Sequence, residues 1–227
     1  MVQAFNVFIY FYLMKDTEKN MPYFIMSHVF AAISMATLGA LMYKDSRSEE
    51  IDVVSSVNGK TYKVLRVGNF KEAADMLAAL EDKARAFVDA ASKKYPKDDN
   101  IRRIKKYWTG TITEIPQSDT IAYAIDKKEL YMCIRDSTGR VQKLDDLLFV
   151  LLHELSHIMN PSWGHDESFW KQFKRTLEIA NELGYLPYRD YDNYSVSVCG
   201  KNITSNPMTC VVRGECYSEL KPIRPNY

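Results

Sequence analysis

Charge of one sign is what this chain lacks most plainly: 30 lysines and arginines stand against 29 aspartates and glutamates, for a formal net charge of +1. A protein held on nucleic acid by a global basic field needs a surplus that is absent here. Cysteine is scarce too. The four residues Cys133, Cys199, Cys210 and Cys216 show no C-x-x-C spacing, which excludes a thiolate zinc knuckle and a thioredoxin-type motif. They read as plain thiols, or, if the C-terminal part faces an oxidising compartment, as one disulfide within the cluster Cys199, Cys210 and Cys216. No internal repeat and no low-complexity tract is present. With 227 residues and 46% hydrophobic content, the chain fits one ordinary domain with an appendage and a sizeable core.

Histidine is as rare as cysteine, and its distribution is uneven. Of four histidines, His153, His157 and His165 fall within one short stretch, and only His28 lies elsewhere. In Leu151-Leu152-His153-Glu154-Leu155-Ser156-His157 the two histidines are four apart, so on a helix both imidazoles lie on one face with Glu154 beside them. A catalytic zinc ion takes three protein ligands and keeps a fourth position for water. His165, in Gly164-His165-Asp166, is the candidate third ligand. Such a site lowers the pKa of the water to about 7, and Glu154 is placed to act as general base. The expected reaction is peptide-bond hydrolysis. The alternative is a helix whose histidines merely pack or hydrogen-bond. Asp166 is readable either as an orienting partner for an imidazole or as a helix cap. One of the tyrosines after Gly184 is a candidate oxyanion stabiliser, with nothing to choose among them.

The N-terminal region reads differently. Residues 1–20 form an apolar leader, and Met21 is an alternative start. From Tyr23 to Tyr43 no residue is formally charged, and about twenty apolar residues suffice to cross the hydrocarbon, so residues 21–44 are expected to be a single-pass membrane anchor. Tyrosines at both ends suit the interfaces. A cleaved signal peptide or a buried helix are the alternatives. Residues 45–50 then read as a linker and 51–227 as the catalytic domain.

Within that domain the spacing predicts a hairpin over Ile51 to Val67 around Asn58-Gly59. It predicts a long helix from Phe70 to Tyr95 capped by Asn69, and a shorter basic helix from Asp98 to Trp108. Thr120 to Asp126 and Glu129 to Arg135 predict an antiparallel hairpin, and Glu129 to Arg135 or its partner is the candidate strand for binding an extended substrate. Helices follow over Leu144 to Met159, with the histidine motif, and over Glu167 to Leu183, then a loop-rich tail.

His153-Glu154-Leu155-Ser156-His157, Gly164-His165-Asp166 and Phe169-Trp170 together resemble the WLM and SprT-like group of zinc metallopeptidases, in which H-E-x-x-H is followed by a short insert and a third histidine ahead of a phenylalanine. Cys133-Ile134-Arg135-Asp136 and Asn206-Pro207 also resemble small metallopeptidases predicted in large DNA viruses. The resemblance covers roughly positions 129 to 184. It implies an α+β zincin-like fold with a small antiparallel sheet, zinc on His153, His157 and His165, and Glu154 as base. Two features depart from it. Seven residues separate His157 from His165, unlike the metzincin spacing, and the balanced charge does not suit the clearing of DNA-bound proteins. The leading expectation is a membrane-anchored zinc endopeptidase acting on a protein or peptide. One alternative is a protease for nucleic-acid-bound proteins using Arg102, Arg103, Lys105 and Lys106, and another is a zinc-stabilised structural protein of a virion or membrane.

Overall fold

A computed structural model describes residues 21–46 and 49–209, and within the first helix the side chains of residues 26–39. The chain divides into two units, Met1–Glu49 and Glu50–Tyr227. The first contains helix α1, Met21–Ser46. Ser27, His28, Ser34 and Thr37 interrupt its apolar run, with Thr37 Oγ1 donating to Ser34 O at 2.9 Å. Among the described residues no helix is long and apolar enough to cross a membrane. The anchor expected over Tyr23 to Tyr43 therefore lacks support, and so does a membrane partner.

The second unit opens with an antiparallel hairpin, β1 (Glu50–Val54) and β2 (Thr61–Leu65), in which Ile51 faces Val64 and Val53 faces Tyr62. Tyr62 and Val64 are buried while Thr61 and Lys63 face solvent, the period of two that a half-buried strand requires. Helix α2 (Phe70–Lys94) buries Leu77, Leu80, Ala84, Phe87 and Ala91 on one face. Asn69 occupies its N-cap position but makes no side-chain capping bond. Its backbone is left-handed, with φ 64°. Helix α3 (Asp99–Tyr107) is capped by Asp98, which accepts from the N–H groups of Asn100 and Ile101 at 2.9 and 3.1 Å.

Strands β3 (Ile112–Glu114), β4 (Ala122–Ile125) and β5 (Glu129–Met132) form a sheet in the order β3-β5-β4. β5 pairs antiparallel with β4 and parallel with β3, so this sheet is mixed where an antiparallel one was expected. β5 has a neighbour on both sides, which removes it as a substrate platform. Its partner β4 is the edge.

Helix α4 (Leu144–Met159) lies at the centre, packed against α2, α3 and β4, and against helix α5 (Glu167–Glu182). It is buried almost all round, through Leu147, Leu148, Leu151, Leu152, Leu155 and Ile158 among others. Beyond α5 the tail contains a hairpin that its sequence did not announce, β6 (Val196–Val198) and β7 (Lys201–Ile203), with β6 resting on α4.

Two internal ties hold the sheet to its surroundings. Cys133 at the end of β5 forms a disulfide with Cys199 in the β6–β7 turn, which corrects the reading of both as plain thiols and takes Cys199 out of a pairing within the C-terminal cluster. Cys210 and Cys216 lie outside the described residues. The second tie is a buried ion pair. Arg135 Nε donates to Glu114 Oε1 at 2.6 Å, Arg135 Nη1 donates to Gly68 O at 2.5 Å, and Glu114 Oε2 accepts from Leu65 N at 2.8 Å. Neither side chain is more than 5% exposed. Removing one member of such a pair leaves an uncompensated buried charge, so Arg135→Met is expected to lower the unfolding free energy by roughly 3–5 kcal/mol. Denaturant titration of the variant checks this, and a loss near zero would mean that water reaches the pair.

Candidate metal centre

One turn of helix separates His153 from His157, so α4 presents both rings on one side, and α5 and the loop before it supply the third. Asp166 caps α5, accepting from Phe169 N at 2.9 Å and from Ser168 Oγ at 2.7 Å. These bonds hold its carboxyl below the usual range, and among the described residues no hydrogen bond joins it to an imidazole, so its observed role is the cap. Gly164, with φ 79°, takes the left-handed turn that sets His165 just ahead of that cap.

The three imidazoles converge. His165 Nε2 lies 2.9 Å from His153 Nε2 and 3.1 Å from His157 Nε2, and one nitrogen from each ring falls within 4.8 Å of the others. Tetrahedral zinc with Zn–N bonds of about 2.0–2.1 Å spaces its nitrogens about 3.3–3.4 Å apart, so His165 would have to draw back by only a few tenths of an ångström from each of the other two rings. The rings are clamped by aromatic neighbours. Phe169 stacks on His157 at 4.0 Å between centroids, and Phe169 and Phe173 lie edge-on to His153 at 4.8 and 4.9 Å. The fourth histidine, His28, is exposed on α1.

The electrostatics suit a cation. Burial lowers the pKa of all three histidines, helped at His153 by His157 and His165, and takes His157 down to about 3 with help from His165 and Lys127. All three are therefore neutral near pH 7, the form that ligates a metal. Glu154 is buried, 7% exposed, and burial raises its pKa to about 8. Its carboxylate has no hydrogen-bond partner among the described residues. A divalent cation beside it would draw that pKa back down.

Lys127 is a neighbour that the motif did not reveal. It sits in the β4–β5 turn with φ 55°, next to Asp126 with φ 50°, and is buried. Its Nζ donates to the carbonyls of Asn160, Pro161 and Ser162 at 2.6, 3.2 and 2.8 Å and lies 4.7 Å from the centre of the Trp163 ring. Burial, then the charge of Arg103, lowers its pKa. Arg103 itself donates to Ile158 O at 2.9 Å.

Other residues singled out by sequence lie elsewhere. Tyr191 donates to Asp146 at 3.2 Å and Tyr188 pairs with Thr209 at 2.9 Å. With Tyr194, Asp145 and Arg189 they line a cavity of about 640 Å³ at the N-terminal end of α4, away from the histidines. The hydroxyls of Tyr188 and Tyr191 are thus engaged there. The basic residues of α3 form no free stripe. Arg103 is turned to the end of α4, Arg102 pairs with Asp99, Lys105 lies 3.5 Å from Asp89, and Lys106 lies over Tyr107.

The chain is similar to viral proteins. Uncharacterized protein R325 of Acanthamoeba polyphaga mimivirus is 28% identical over 191 residues, which span 79% of this chain and 95% of that one. Uncharacterized protein 136R of Invertebrate iridescent virus 6 is 36% identical over 66 residues, 28% of this chain and 37% of its own length. Uncharacterized protein 042R of Invertebrate iridescent virus 3 is 34% identical over 72 residues, 31% of this chain and 45% of its own. These names state no activity. No protein family matches the chain, and no solved structure matches it.

Proposed function

We propose that the chain is a zinc-dependent endopeptidase, with the metal on His153, His157 and His165 and Glu154 as general base. The observation that carries the reading is the convergence of three neutral imidazoles, with the buried carboxyl of the adjoining residue Glu154 free of any hydrogen-bond partner among the described residues. A structural metal site has no use for that carboxylate, whereas a proton acceptor at the reaction centre needs its oxygens free. The resemblance of the H-E-x-x-H helix and its third histidine to zinc metallopeptidases supports the same reading. A bound zinc ion supplies Lewis-acid activation of water and of a carbonyl oxygen. The work of the protein is then to hold the three rings, to take a proton from the attacking water on Glu154, and to return it to the leaving amine.

Edge strand β4 suits an extended peptide. Cys133 N–H meets Ile121 O at 2.8 Å, and by the alternation of an antiparallel ladder the backbone groups of Ala122 and Ala124 point away from β5. They have no partner among the described residues. Tyr123 and Ile125, 39% and 43% exposed, share one face of the strand. A substrate strand adding to this edge would gain backbone bonds, with side-chain selection at alternate positions.

The reading is tested by metal content and cleavage together. The chain is expected to bind one zinc ion and to cut an unfolded protein, with activity removed by a chelator and restored by zinc. His165→Ala is expected to lose stoichiometric metal. Tight zinc retained in that variant would remove the third ligand, and no cleavage of a broad peptide library by the zinc-loaded chain would remove the enzyme.

A further inference from the structure

The segment between the second and third ligands poses a physical problem. His165 must be brought back against α4 by a loop, residues 160–164, whose exposed Trp163 is 77% accessible and whose backbone has few partners of its own. The last carbonyls of a helix and those of the loop after it need donors. Arg103 serves Ile158 O, still within the helix. The carbonyls of Asn160, Pro161 and Ser162 all turn to one atom, Lys127 Nζ, which comes from a different part of the chain.

We infer that Lys127 is a positioning residue: its ammonium group fixes the loop that carries His165 and thereby sets the third metal ligand. The inference rests on the metal-centre reading above. Three observations separate this role from ordinary helix capping. Two of the three acceptors, Pro161 and Ser162, lie beyond the end of α4, so the bonds order the loop and not just the helix terminus. The Trp163 ring lies against the same ammonium, closing the loop over it. Lys127 itself adopts a left-handed backbone that a lysine rarely takes, and the neighbouring Asp126 does the same. The turn that directs the side chain inward is thus held against its local preference.

A lysine is suited to this task. Its three donors match three carbonyls on one compact atom, while an arginine fork would spread them over a plane. The remaining bonds of the loop are short-range and polar. Asn160 Nδ2 donates to Ser162 Oγ and Ser168 Oγ at 2.7 and 3.0 Å, and Ser162 Oγ reaches Asp166 at 3.2 Å. They shape the loop but do not join it to the sheet. Lys127 does, and because it lies two residues past the end of β4 it ties the edge strand to the loop of the third ligand.

The test uses the full chain, with zinc affinity measured by chelator competition and the site geometry read from the visible bands of Co²⁺. Lys127→Met keeps the length of the side chain and removes the donors. It is expected to bind zinc about 10- to 100-fold more weakly than wild type. Its Co²⁺ bands should weaken as one imidazole is replaced by solvent. In a His165→Ala background the same change should alter the remaining affinity by less than about twofold, since a residue that acts through His165 has nothing left to position. If Lys127→Met does not fold, Lys127→Gln, which keeps donors but not three, takes its place and should show a smaller loss of the same kind. Zinc affinity and Co²⁺ bands equal to wild type would overturn the inference while leaving the metal centre intact. An equal loss in the presence and absence of His165 would also overturn it, as the mark of a general structural effect. A wild-type chain that binds no metal would overturn the metal centre, and the inference with it.

Discussion

Glu154→Gln is expected to lower the rate of peptide cleavage by about 10²- to 10⁴-fold while leaving zinc bound, because glutamine fills the same space and cannot accept the proton. Equal turnover by variant and wild type would end the proposal of a peptidase. The same substitution has a second signature in the metal-free chain, and its sign follows from linkage. The folded Glu154 holds its proton up to about pH 8, whereas its ordinary value is 4.5. Between those values the folded state carries a proton that the unfolded state has released, so this residue makes stability fall as pH rises through the window. Glutamine has no such dependence. Metal-free Glu154→Gln should therefore melt at the same temperature as wild type below pH 4.5 and at a higher one above pH 8. The histidines act in the opposite direction. Their folded pKa values lie below the ordinary 6.5, so their contribution is present above that pH and is lost as pH falls towards about 3, the value for His157. That loss is common to both proteins and cancels in the comparison. A gain that disappears on adding zinc would place the carboxylate beside the metal.

The histidine helix was legible because its signals are local and agree. Leu147, Leu148, Leu151, Leu155 and Ile158 repeat at helical spacing, Pro161 ends the run, and an i, i+4 pair of histidines must share a face. His165 could be chosen because the chain has almost no other histidine, and the Asp166 cap fixed where the next helix starts. What joins distant parts of the chain was not legible. β3 is three residues long and exists because it lies parallel to β5, a pairing without any short-range mark. β6 and β7 are equally short, paired with each other and joined to α4 through β6.

Lys127 illustrates the limit most clearly. In sequence it is one of two lysines in a polar turn, Asp126-Lys127-Lys128, and solvent is the ordinary expectation for both. Its burial depends on two consecutive left-handed residues, neither of them glycine, and on three carbonyls more than thirty residues away. Arg103 shows the same thing for a helix. It is one of four cations in a nine-residue segment that reads as a solvated or nucleic-acid-binding face, yet it turns inward to the end of α4. Charge patterning reports how many cations a face carries. Where an unpaired carbonyl waits inside the fold decides which of them faces solvent.

Replacing Cys133 and Cys199 together by alanine is expected to lower the unfolding free energy by about 4 kcal/mol, the loop-closure entropy of a cross-link spanning 66 residues. For a domain of this size that corresponds to a melting temperature lower by roughly 8–16 °C. The enclosed segment, residues 134–198, includes α4, α5 and all three histidines, so the bond restricts the unfolded state of the part that must assemble the metal centre. The deficit should be offset by metal, because a ligand held only by the folded state adds stability in proportion to the logarithm of its concentration over its Kd. Melting with and without reductant and zinc separates these contributions. Wild type should lose stability in reductant and the double variant should not, and zinc should raise the melting temperature of both. Both sulfurs belong to residues that are 1% exposed, so reductant reaches them only when the tail hairpin lifts from α4. The rate of reduction should therefore rise with denaturant well before the chain unfolds if the hairpin opens alone, and only with global unfolding if β6 and α4 part together.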